Sequence, residues 1–359
     1  MSPCECWMAQ DGQEEQHGER ASSVEDLVRA ACAAISPRQH HHHGRFLLFH
    51  SGFSVCSEKV RATLAEAGEA YTSYAVDLST QQNYHPAYVA LRVRAWAELP
   101  TPPPPLVGEL WTASNASSAA GFDPAVVPTL VDLATAKIVV DSLAICRYVV
   151  ANATTNLCPE AHRELIDKHL RLVDETPHTA LIYDGNVERP ERRAVARGLH
   201  AAQIPALEER LAERGTTWDD DLLERAYRAK LARMRAGAAA TRECDEASNP
   251  TAYQLDIVAR VKAVLRALEA DLRASATGWV CGTPSPTLAD LFHGISLYRL
   301  VFLGCEYMWT DLPHVTAFAD KVFALKSIQD AVIFFPGRPE NDDTRRVRRR
   351  ISKPDAAEV

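Results

Sequence analysis

Hydrophobic positions in the first half of the chain form short continuous runs and helically spaced stretches. The run at 45–50 predicts a short buried strand, and apolar residues recur at helical spacing over 60–67 before Gly68. Residues 71–77 predict a second strand. A strand, a helix and a strand in this order predict a β-α-β unit, whose two strands run parallel while the helix crosses over.

The residues with reactive or ligand-binding side chains lie where predicted helices begin. Ser54 and Cys56 stand between the first strand and the first helix. Helix N-termini carry unpaired N–H groups that stabilise an anion, and they lower a cysteine pKa from its usual ~8.5. We therefore expect Ser54 or Cys56 to hold or form a thiolate. Asp141 and Ser142 open an apolar helix at 143–150, where a hydroxyl and backbone N–H groups favour a ligand carboxylate.

Two more strands are predicted at 126–132 and 137–140. The first contains Val127-Pro128, and a cis X-Pro bond costs only ~1 kcal/mol, so this bond can be cis. In the second half of the chain, Thr287 and Asp290 form a capping-box variant at the start of a long apolar helix. We interpret that box as structural and without chemistry.

These motifs together resemble a glutathione transferase. Ser-x-Cys-Ser at 54–57, Val-Pro-Thr-Leu-Val-Asp at 127–132 and Asp-Ser at 141–142 are similar to its thioredoxin-like half. The similarity covers most of 45–150 and 255–335. It implies an α/β domain with a thioredoxin-like fold, followed by an all-α domain that begins its core helix with the same capping box.

The resemblance also assigns roles to individual residues. It implies that Pro128 is cis, that the backbone at Val127 and Pro128 binds the cysteinyl group of glutathione, and that Asp141 and Ser142 bind its γ-glutamyl end. Glutathione is then a cosubstrate.

The predicted domains are a flexible extension at 1–44 with a short amphipathic helix at 24–35, a thioredoxin-like domain at 45–153 with a Pro-rich insertion at about 98–124, an all-α domain at 160–338 with a charged helical insertion at about 185–250, and a basic flexible tail at 339–359.

Composition indicates the number of domains, the cellular compartment and the classes of partner to expect. Its 359 residues suit two domains, and a hydrophobic fraction of 47% is ample for two cores. Nine scattered cysteines without a signal peptide indicate free thiols and a cytoplasmic protein. The net charge of −8 argues against nucleic-acid partners, and no apolar run approaches the ~18 residues that cross a membrane. Cys4, Cys6 and the histidines at 40–43 lack zinc-type spacing, so no metal is expected.

The Ser-x-Cys-Ser motif resembles the zeta class, with its maleylacetoacetate isomerases, and the related reductive dehalogenases of chlorinated hydroquinones. The stretch at 174–183 and the long insertion in the all-α domain look like the dichlorohydroquinone reductive dechlorinase branch. In such a cycle, glutathione displaces chloride from the ring and Cys56 then attacks the glutathionyl sulfur. His178 and Tyr183 are candidates for holding a phenolic oxygen. The alternative for His178 is a local capping or packing role.

Two other functions stay open at this point. In the first, Ser54 stabilises the glutathione thiolate for ordinary transferase or isomerase chemistry and Cys56 is a bystander. In the second, the chain is a non-enzymatic protein similar to the ganglioside-induced differentiation-associated proteins, although the hydrophobic C-terminal anchor of those proteins is not expected here. The partners expected are glutathione and a small electrophilic, aromatic substrate, and the resemblance favours a homodimer.

Overall fold

The structure is a computed structural model that describes residues 23–36, 44–99, 104–107, 120–183, 186–187 and 193–352. The first part of the chain forms a sheet with helices on both faces, and the second part is helical. The elements of the first part are α1 Val24–Ile35, β1 Phe46–His50, α2 Val55–Ala67, β2 Tyr71–Ala75, a 3₁₀ turn Gln82–Tyr84, α3 Pro86–Ala97, β3 Thr129–Asp132, β4 Lys137–Val140 and α4 Ser142–Asn152.

The second part consists of helices. Its elements are a 3₁₀ turn Glu160–His162, α5 Arg163–Asp174, α6 His178–Tyr183, α7 Arg193–Ala212, α8 Asp221–Glu246, α9 Ala252–Ala274, α10 Leu288–Phe302, a 3₁₀ turn Glu306–Met308, α11 Pro313–Phe323, α12 Lys326–Ile328 with a π-helical turn Gln329–Ile333, and α13 Asp342–Ser352.

The sheet has four strands in the order β2-β1-β3-β4. Strand β1 runs parallel to β2, with Phe46 opposite Tyr71, and antiparallel to β3, with Phe46 opposite Asp132. The hairpin of β3 and β4 places Thr129 opposite Val140. The Val127–Pro128 peptide bond before β3 is cis. The predicted β-α-β unit, the two further strands and the thioredoxin-like fold are therefore confirmed.

Side chains of β1 alternate between two cores, as the period of a strand requires. Phe46 and Leu48 face the core that α2 and α4 share with the all-α domain, whereas Leu47 and Phe49 face α1 and α3. The predicted amphipathic helix at 24–35 is confirmed as α1, and its apolar face is buried in that second core. The expectation of a flexible extension is wrong for this helix, since burying its apolar face attaches it to the sheet.

Helix α2 lies between the sheet and the all-α domain. Ser54 caps its start, and Gly68 ends it in the left-handed conformation at φ 72°, which glycine adopts without steric cost. Because both sides of the helix are covered, its charged residues Glu58, Lys59 and Arg61 are buried together with its apolar ones. A buried charge is stable only when it is paired, so α2 requires charged or polar partners from the second domain.

Helix α10 is the central helix of the all-α domain, and nearly all of its residues are buried. The predicted capping box is confirmed at its start. Asp290 accepts hydrogen bonds from the backbone N–H and the hydroxyl of Thr287, both at 2.7 Å. Its other carboxylate oxygen accepts from the N–H of Val280, also at 2.7 Å. Asp290 thus joins the preceding loop to the helix.

The charged insertion forms the two helices α7 and α8. They pack against each other and against α3 of the thioredoxin-like domain. Tyr227 on α8 donates a hydrogen bond to the carbonyl of Tyr84 at 2.7 Å. The insertion therefore covers the first domain as well as lengthening the second. Trp96 of α3 packs here too, with its ring 5.9 Å from that of Phe122.

The basic segment near the C-terminus is ordered as α13. The expectation of a flexible tail is wrong for Asp342–Ser352, because Thr344 and Val347 are buried against the all-α domain. Its arginines also form ion pairs, among them Arg350 with Asp320 at 2.8 Å. Among the residues that the structure describes, no helix is long and apolar enough to cross a membrane.

We expect Asp290→Ala to lower the free energy of unfolding by about 3 kcal/mol, because it leaves the buried N–H groups of Val280 and Thr287 without acceptors. Urea denaturation followed by circular dichroism measures this change. The control is Asp256→Ala, which removes a solvent-exposed ion pair with Arg260 and should cost less than about 1 kcal/mol. Equal losses for the two variants would contradict the structural role of the box.

Candidate active site

A cavity of about 920 Å³ opens where the sheet, α2, α4 and the all-α domain meet. It is bordered by every residue that the sequence predicted for catalysis or for glutathione binding. Those residues are Ser54, Cys56, Val127, Pro128, Asp141 and Ser142. They come together because the ends of β1 and β4 and the start of β3 lie at the same edge of the sheet.

Ser54 and Cys56 occupy the first turn of α2. The Ser54 oxygen accepts a hydrogen bond from the N–H of Ser57 at 3.3 Å, and the Ser57 hydroxyl accepts one from the N–H of Ser51 at 3.2 Å. These bonds hold the strand-to-helix turn in place. Ser54 and Cys56 are each partly exposed at the cavity, whereas Ser57 is fully buried. Ser57 is thus structural, and the other two are available to a ligand.

The environment of Cys56 differs from the expectation. Burial raises the pKa of its thiol, and this effect outweighs the cation of Lys59 and a hydrogen bond from Ser142, both of which lower it. The expected lowering at the helix N-terminus is therefore wrong for the protein without substrate. The hydroxyl of Ser142 nevertheless lies within hydrogen-bonding reach of the thiol, so the starts of α2 and α4 meet at this sulfur.

Lys59 is a site residue that the sequence analysis missed. It follows Cys56 by three residues, so the two side chains lie on the same face of α2. Its Nζ is 3.1 Å from Asp174 at the end of α5 and 4.7 Å from the centre of the Phe292 ring. Lys59 is buried, and the spacing of a lysine one turn after a cysteine was the signal available in the sequence.

The loop before β3 is held by Arg92 of α3. Its Nη1 donates to the carbonyl of Pro128 at 2.6 Å, and its Nε donates to the carbonyl of Pro124 at 3.0 Å. Arg92 is fully buried, and the sequence analysis did not identify it. By binding carbonyls on both sides of Val127, it orients the backbone that the resemblance assigns to glutathione.

Asp141 adopts a backbone conformation that is uncommon for residues other than glycine, with φ at 74°. Its carboxylate accepts hydrogen bonds from the N–H groups of Leu143 at 3.0 Å and Ala144 at 3.1 Å. Asp141 therefore caps α4, and strain of this kind occurs preferentially at functional sites. The hydroxyl of Ser142 remains at the cavity, next to Cys56.

The charged insertion contributes cations to the cavity wall. Lys230 of α8 lies 2.6 Å from the carboxylate of Asp123, and Arg233 lies 4.0 Å from the same oxygen. Burial raises the pKa of Asp123, but the two cations more than offset this effect and hold it below its usual value. We call this corner of the cavity, where Lys230, Arg233 and Arg92 surround Asp123, the insertion corner.

His178, one of the two residues predicted to hold a phenolic oxygen, does not border the cavity. His178 is buried in the all-α domain, where its Nε2 lies 2.8 Å from the hydroxyl of Ser296, and its neighbours Thr179 and Ile182 border the cavity instead. Burial keeps the pKa of His178 well below its usual value, so the ring is neutral. This buried position fits the local packing role that the sequence left open for His178. The side chain of Tyr183 lies outside the described residues.

Comparison with known proteins agrees with this geometry. Residues 53–152 match the family model of the glutathione S-transferase N-terminal domain. Curated relatives from two strains of Sphingobium indicum, described as 2,5-dichlorohydroquinone reductive dechlorinases, are 38% identical over 310 residues, which are 83% of this chain and 85% of theirs. The chain belongs to the glutathione transferase superfamily. Within that superfamily it belongs to the branch of these reductive dechlorinases.

The solved structures that resemble this chain are more distant in sequence. A beta-etherase from Sphingobium sp. strain SYK-6 is 16% identical with a TM-score of 0.49, covering 80% of this chain and 98% of its own. A maleylacetoacetate isomerase from Anaeromyxobacter dehalogenans is 18% identical with a TM-score of 0.46, covering 84% and 96%. As a member of the superfamily, this glutathione transferase is a glutathione-dependent enzyme, and the non-enzymatic alternative is set aside.

In this glutathione transferase we expect alkylation of Cys56 by iodoacetamide to keep accelerating above pH 8.5, because burial raises its pKa. Lys59→Met removes the cation that lowers the pKa of Cys56, so that pKa should rise further and less thiolate should form. Labelling at pH 8 should slow by about tenfold for each unit by which the pKa of Cys56 rises. Peptide mass spectrometry measures the rate at Cys56. The control is Lys168→Met, which breaks an ion pair with Asp271. Unchanged labelling in Lys59→Met would contradict the assigned role.

Proposed function

We propose that this enzyme uses glutathione to remove chlorine reductively from a chlorinated hydroquinone-like aromatic compound. The observation that carries the proposal is the position of Cys56, whose sulfur meets the Ser142 hydroxyl at the cavity edge beside Ser54. A protein thiol at that point can attack a sulfur bound in the glutathione position. The similarity to the dichlorohydroquinone dechlorinases, which extends over most of both chains, supports the choice of substrate.

Glutathione would extend along the cavity from Ser142 toward the insertion corner. The hydroxyl and the backbone N–H of Ser142 would receive its γ-glutamyl carboxylate, since Asp141 already accepts from the N–H groups of Leu143 and Ala144. The backbone at Val127, oriented through Arg92, would pair with its cysteinyl group, and the thiol would reach Ser54. The glycyl carboxylate would then face the insertion corner, where the Lys230 ammonium borders the cavity.

The reaction would use two glutathione molecules. The first thiolate adds to the ketonic tautomer of the ring and chloride leaves, which gives an aryl-glutathione thioether. The Cys56 thiolate attacks the glutathionyl sulfur, the carbon–sulfur bond breaks, and the ring carbon takes a proton. The resulting disulfide between Cys56 and glutathione is reduced by the second glutathione, which leaves as glutathione disulfide. The two electrons that reduce the ring come from the two thiols.

Ser54 is the candidate for activating glutathione in the first step. Its hydroxyl is partly exposed at the cavity and can donate a hydrogen bond to the glutathione sulfur, which favours the thiolate. The raised pKa of Cys56 supports a second candidate function, in which Ser54 alone carries a transferase or isomerase reaction. The two functions differ in whether Cys56 becomes covalently bound during turnover.

We expect Cys56→Ser to form the aryl-glutathione thioether and release chloride, but not to release the dechlorinated ring. The wild type should show a glutathione adduct on Cys56 in intact-protein mass spectra recorded during turnover with glutathione and a chlorinated hydroquinone. Chloride release and the aromatic products are followed together.

The control is Cys158→Ser, which removes another partly exposed thiol that does not border the cavity. An absence of adduct, with full production of the dechlorinated ring by Cys56→Ser, would overturn the reductive proposal. The variant Ser54→Ala should lose the first step, and its KM for glutathione should change less than its kcat.

Lys230→Met should raise the KM for glutathione by about tenfold, the factor that corresponds to loss of a charged hydrogen bond of ~1.5 kcal/mol. With glutathione esterified at its glycyl carboxylate, the same variant should show little change, because the ester lacks the charge that Lys230 recognises. Initial-rate kinetics with both thiols measures the difference. The control Arg235→Met alters an exposed ion pair with Glu208 on the same helix. Equal effects on glutathione and its ester would contradict this orientation.

A further inference from the structure

A second group of buried charges lies on the other side of the cavity, under the turn that carries Ser54. We call it the guanidinium cluster, and it comprises Arg61, Arg299 and Arg338 around Glu58. Arg338 donates from Nε to Glu58 at 2.8 Å, and Arg299 Nη2 lies 3.6 Å from the other Glu58 oxygen. Arg61 follows Glu58 on α2 and donates to the carbonyls of Ala331 and Ser51, both at 2.9 Å.

The cluster contains more positive than negative charge. Over the described residues, Glu58 is the acidic group within ion-pair distance of Arg299 and Arg338, and Arg61 binds carbonyl oxygens rather than a carboxylate. Burial lowers the pKa of both Arg61 and Arg299 to about 10, which leaves these two guanidinium groups charged at neutral pH. Buried positive charge without a balancing anion is unfavourable, so the cluster favours an anionic ligand.

The cluster also has hydrogen-bond donors without acceptors. Among the described residues, no partner exists for Nε and Nη1 of Arg299 or for Nη2 of Arg338, and these atoms are buried. Both residues are more than nine-tenths buried. A buried N–H donor without an acceptor costs the full free energy of its desolvation, unless a ligand or an ordered water accepts a hydrogen bond from it.

The surroundings indicate which anion fits. Arg299 borders the cavity, and so do Phe53 and Phe335. The centre of the Phe53 ring lies 4.4 Å from the guanidinium carbon of Arg299. The centre of the Phe335 ring lies 3.9 Å from the guanidinium carbon of Arg61. Cys56 is close enough to Arg299 for its thiolate to interact with the guanidinium charge. An aromatic ring with a negatively charged oxygen suits this mixture of aromatic walls and cations.

We propose that Arg299, with Arg61 and Arg338 behind it, forms a subsite that binds the ring oxygen of the aromatic substrate as a phenolate. The inference rests on the proposed function, because it takes the substrate to be a hydroquinone. The hydroxyl loses its proton to solvent on binding. The phenolate pushes electron density into the ring, so that a ring carbon accepts a proton and the oxygen becomes the carbonyl of the ketonic tautomer. No electrons are gained or lost in this step.

The phenolate would be influenced by charged and titratable groups on several elements. Lys59 adds positive charge but is neutralised by Asp174 at 3.1 Å. His178 is held neutral by burial, with a pKa well below its usual value. Glu58 is the group that opposes binding of an anion. The groups around the subsite are His50 on β1, Cys56, Glu58, Lys59 and Arg61 on α2, Tyr71 on β2, Asp174 on α5, His178 on α6, Tyr298 and Arg299 on α10, and Arg338 before α13.

The test measures the protonation state of a bound phenol. The probe is 4-nitrophenol, whose phenolate absorbs visible light and whose protonated form does not. Absorbance titrations of wild-type enzyme, without glutathione, should show the bound probe ionising at lower pH than the free probe. In calorimetry, 4-nitrophenol should bind at least tenfold more tightly than 4-nitroanisole, in which a methyl group blocks ionisation.

Two variants have opposite expected effects. Arg299→Met should abolish the tenfold preference and return the ionisation of the bound probe to that of the free probe. Glu58→Gln removes the negative charge while keeping an amide oxygen for Arg338. The bound probe should therefore ionise at a still lower pH, and the phenolate should bind more tightly. Opposite shifts cannot both come from a loss of folding. The control Arg273→Met removes an exposed arginine on α9 and should leave the preference unchanged.

The inference would be overturned if wild-type enzyme bound the phenol and the methyl ether equally, if it bound neither, or if Arg299→Met kept the preference. The proposed function has a separate measurement in chloride release. Chloride release by the wild type together with an unchanged preference in Arg299→Met would remove this subsite and keep the reaction. A phenolate preference without chloride release would keep the subsite as a phenol-binding site and remove the reaction.

Discussion

The burial of α2 between the two domains is the constraint on which the rest of the structure depends. The helix carries Glu58, Lys59 and Arg61 in its enclosed faces, and these charges are stable only because the second domain supplies their partners. Asp174 pairs with Lys59, and Arg299 and Arg338 pair with Glu58. The same contacts that join the domains therefore define the electrostatic surroundings of Cys56. Domain association and reactivity cannot vary independently in this fold.

The local features of the site could be predicted from the sequence because their signals are local. Ser54, Asp141 and Ser142 stand where an apolar run is followed by a helical pattern. Such junctions can be recognised from the sequence alone, without knowledge of the tertiary structure. The strands were predicted from continuous apolar runs, and the capping box of Thr287 and Asp290 from its spacing. The cis bond at Pro128 followed from the resemblance rather than from any property of Val-Pro itself.

The features that could not be predicted arise from contacts between distant parts of the chain. Arg92 is buried by the loop before β3, whose carbonyls it binds, and Lys230 is buried where α8 meets Asp123 of the same loop. Neither contact has a signal in the local sequence. The sequence predicts a flexible tail where α13 forms, because the two buried positions, Thr344 and Val347, are few among many arginines. The pKa of Cys56 was misjudged for the same reason. A helix N-terminus lowers it, but the second domain covers the thiol, and the extent of that cover is a tertiary property.

The approach of the segment before α13 to the first turn of α2 has a consequence for biosynthesis. Gly52 and Gly337 are so close that a Cβ placed on Gly52 would lie 3.0 Å from the Gly337 carbonyl oxygen. Phe335, Gly337 and Pro339 border the same cavity as Ser54. A nascent chain on the ribosome therefore exposes the turn of Ser54 and Cys56 long before the residues that enclose it have been synthesised. During that interval the thiol lacks its final cover, and a chain interrupted before residue 339 would present an open, incomplete pocket.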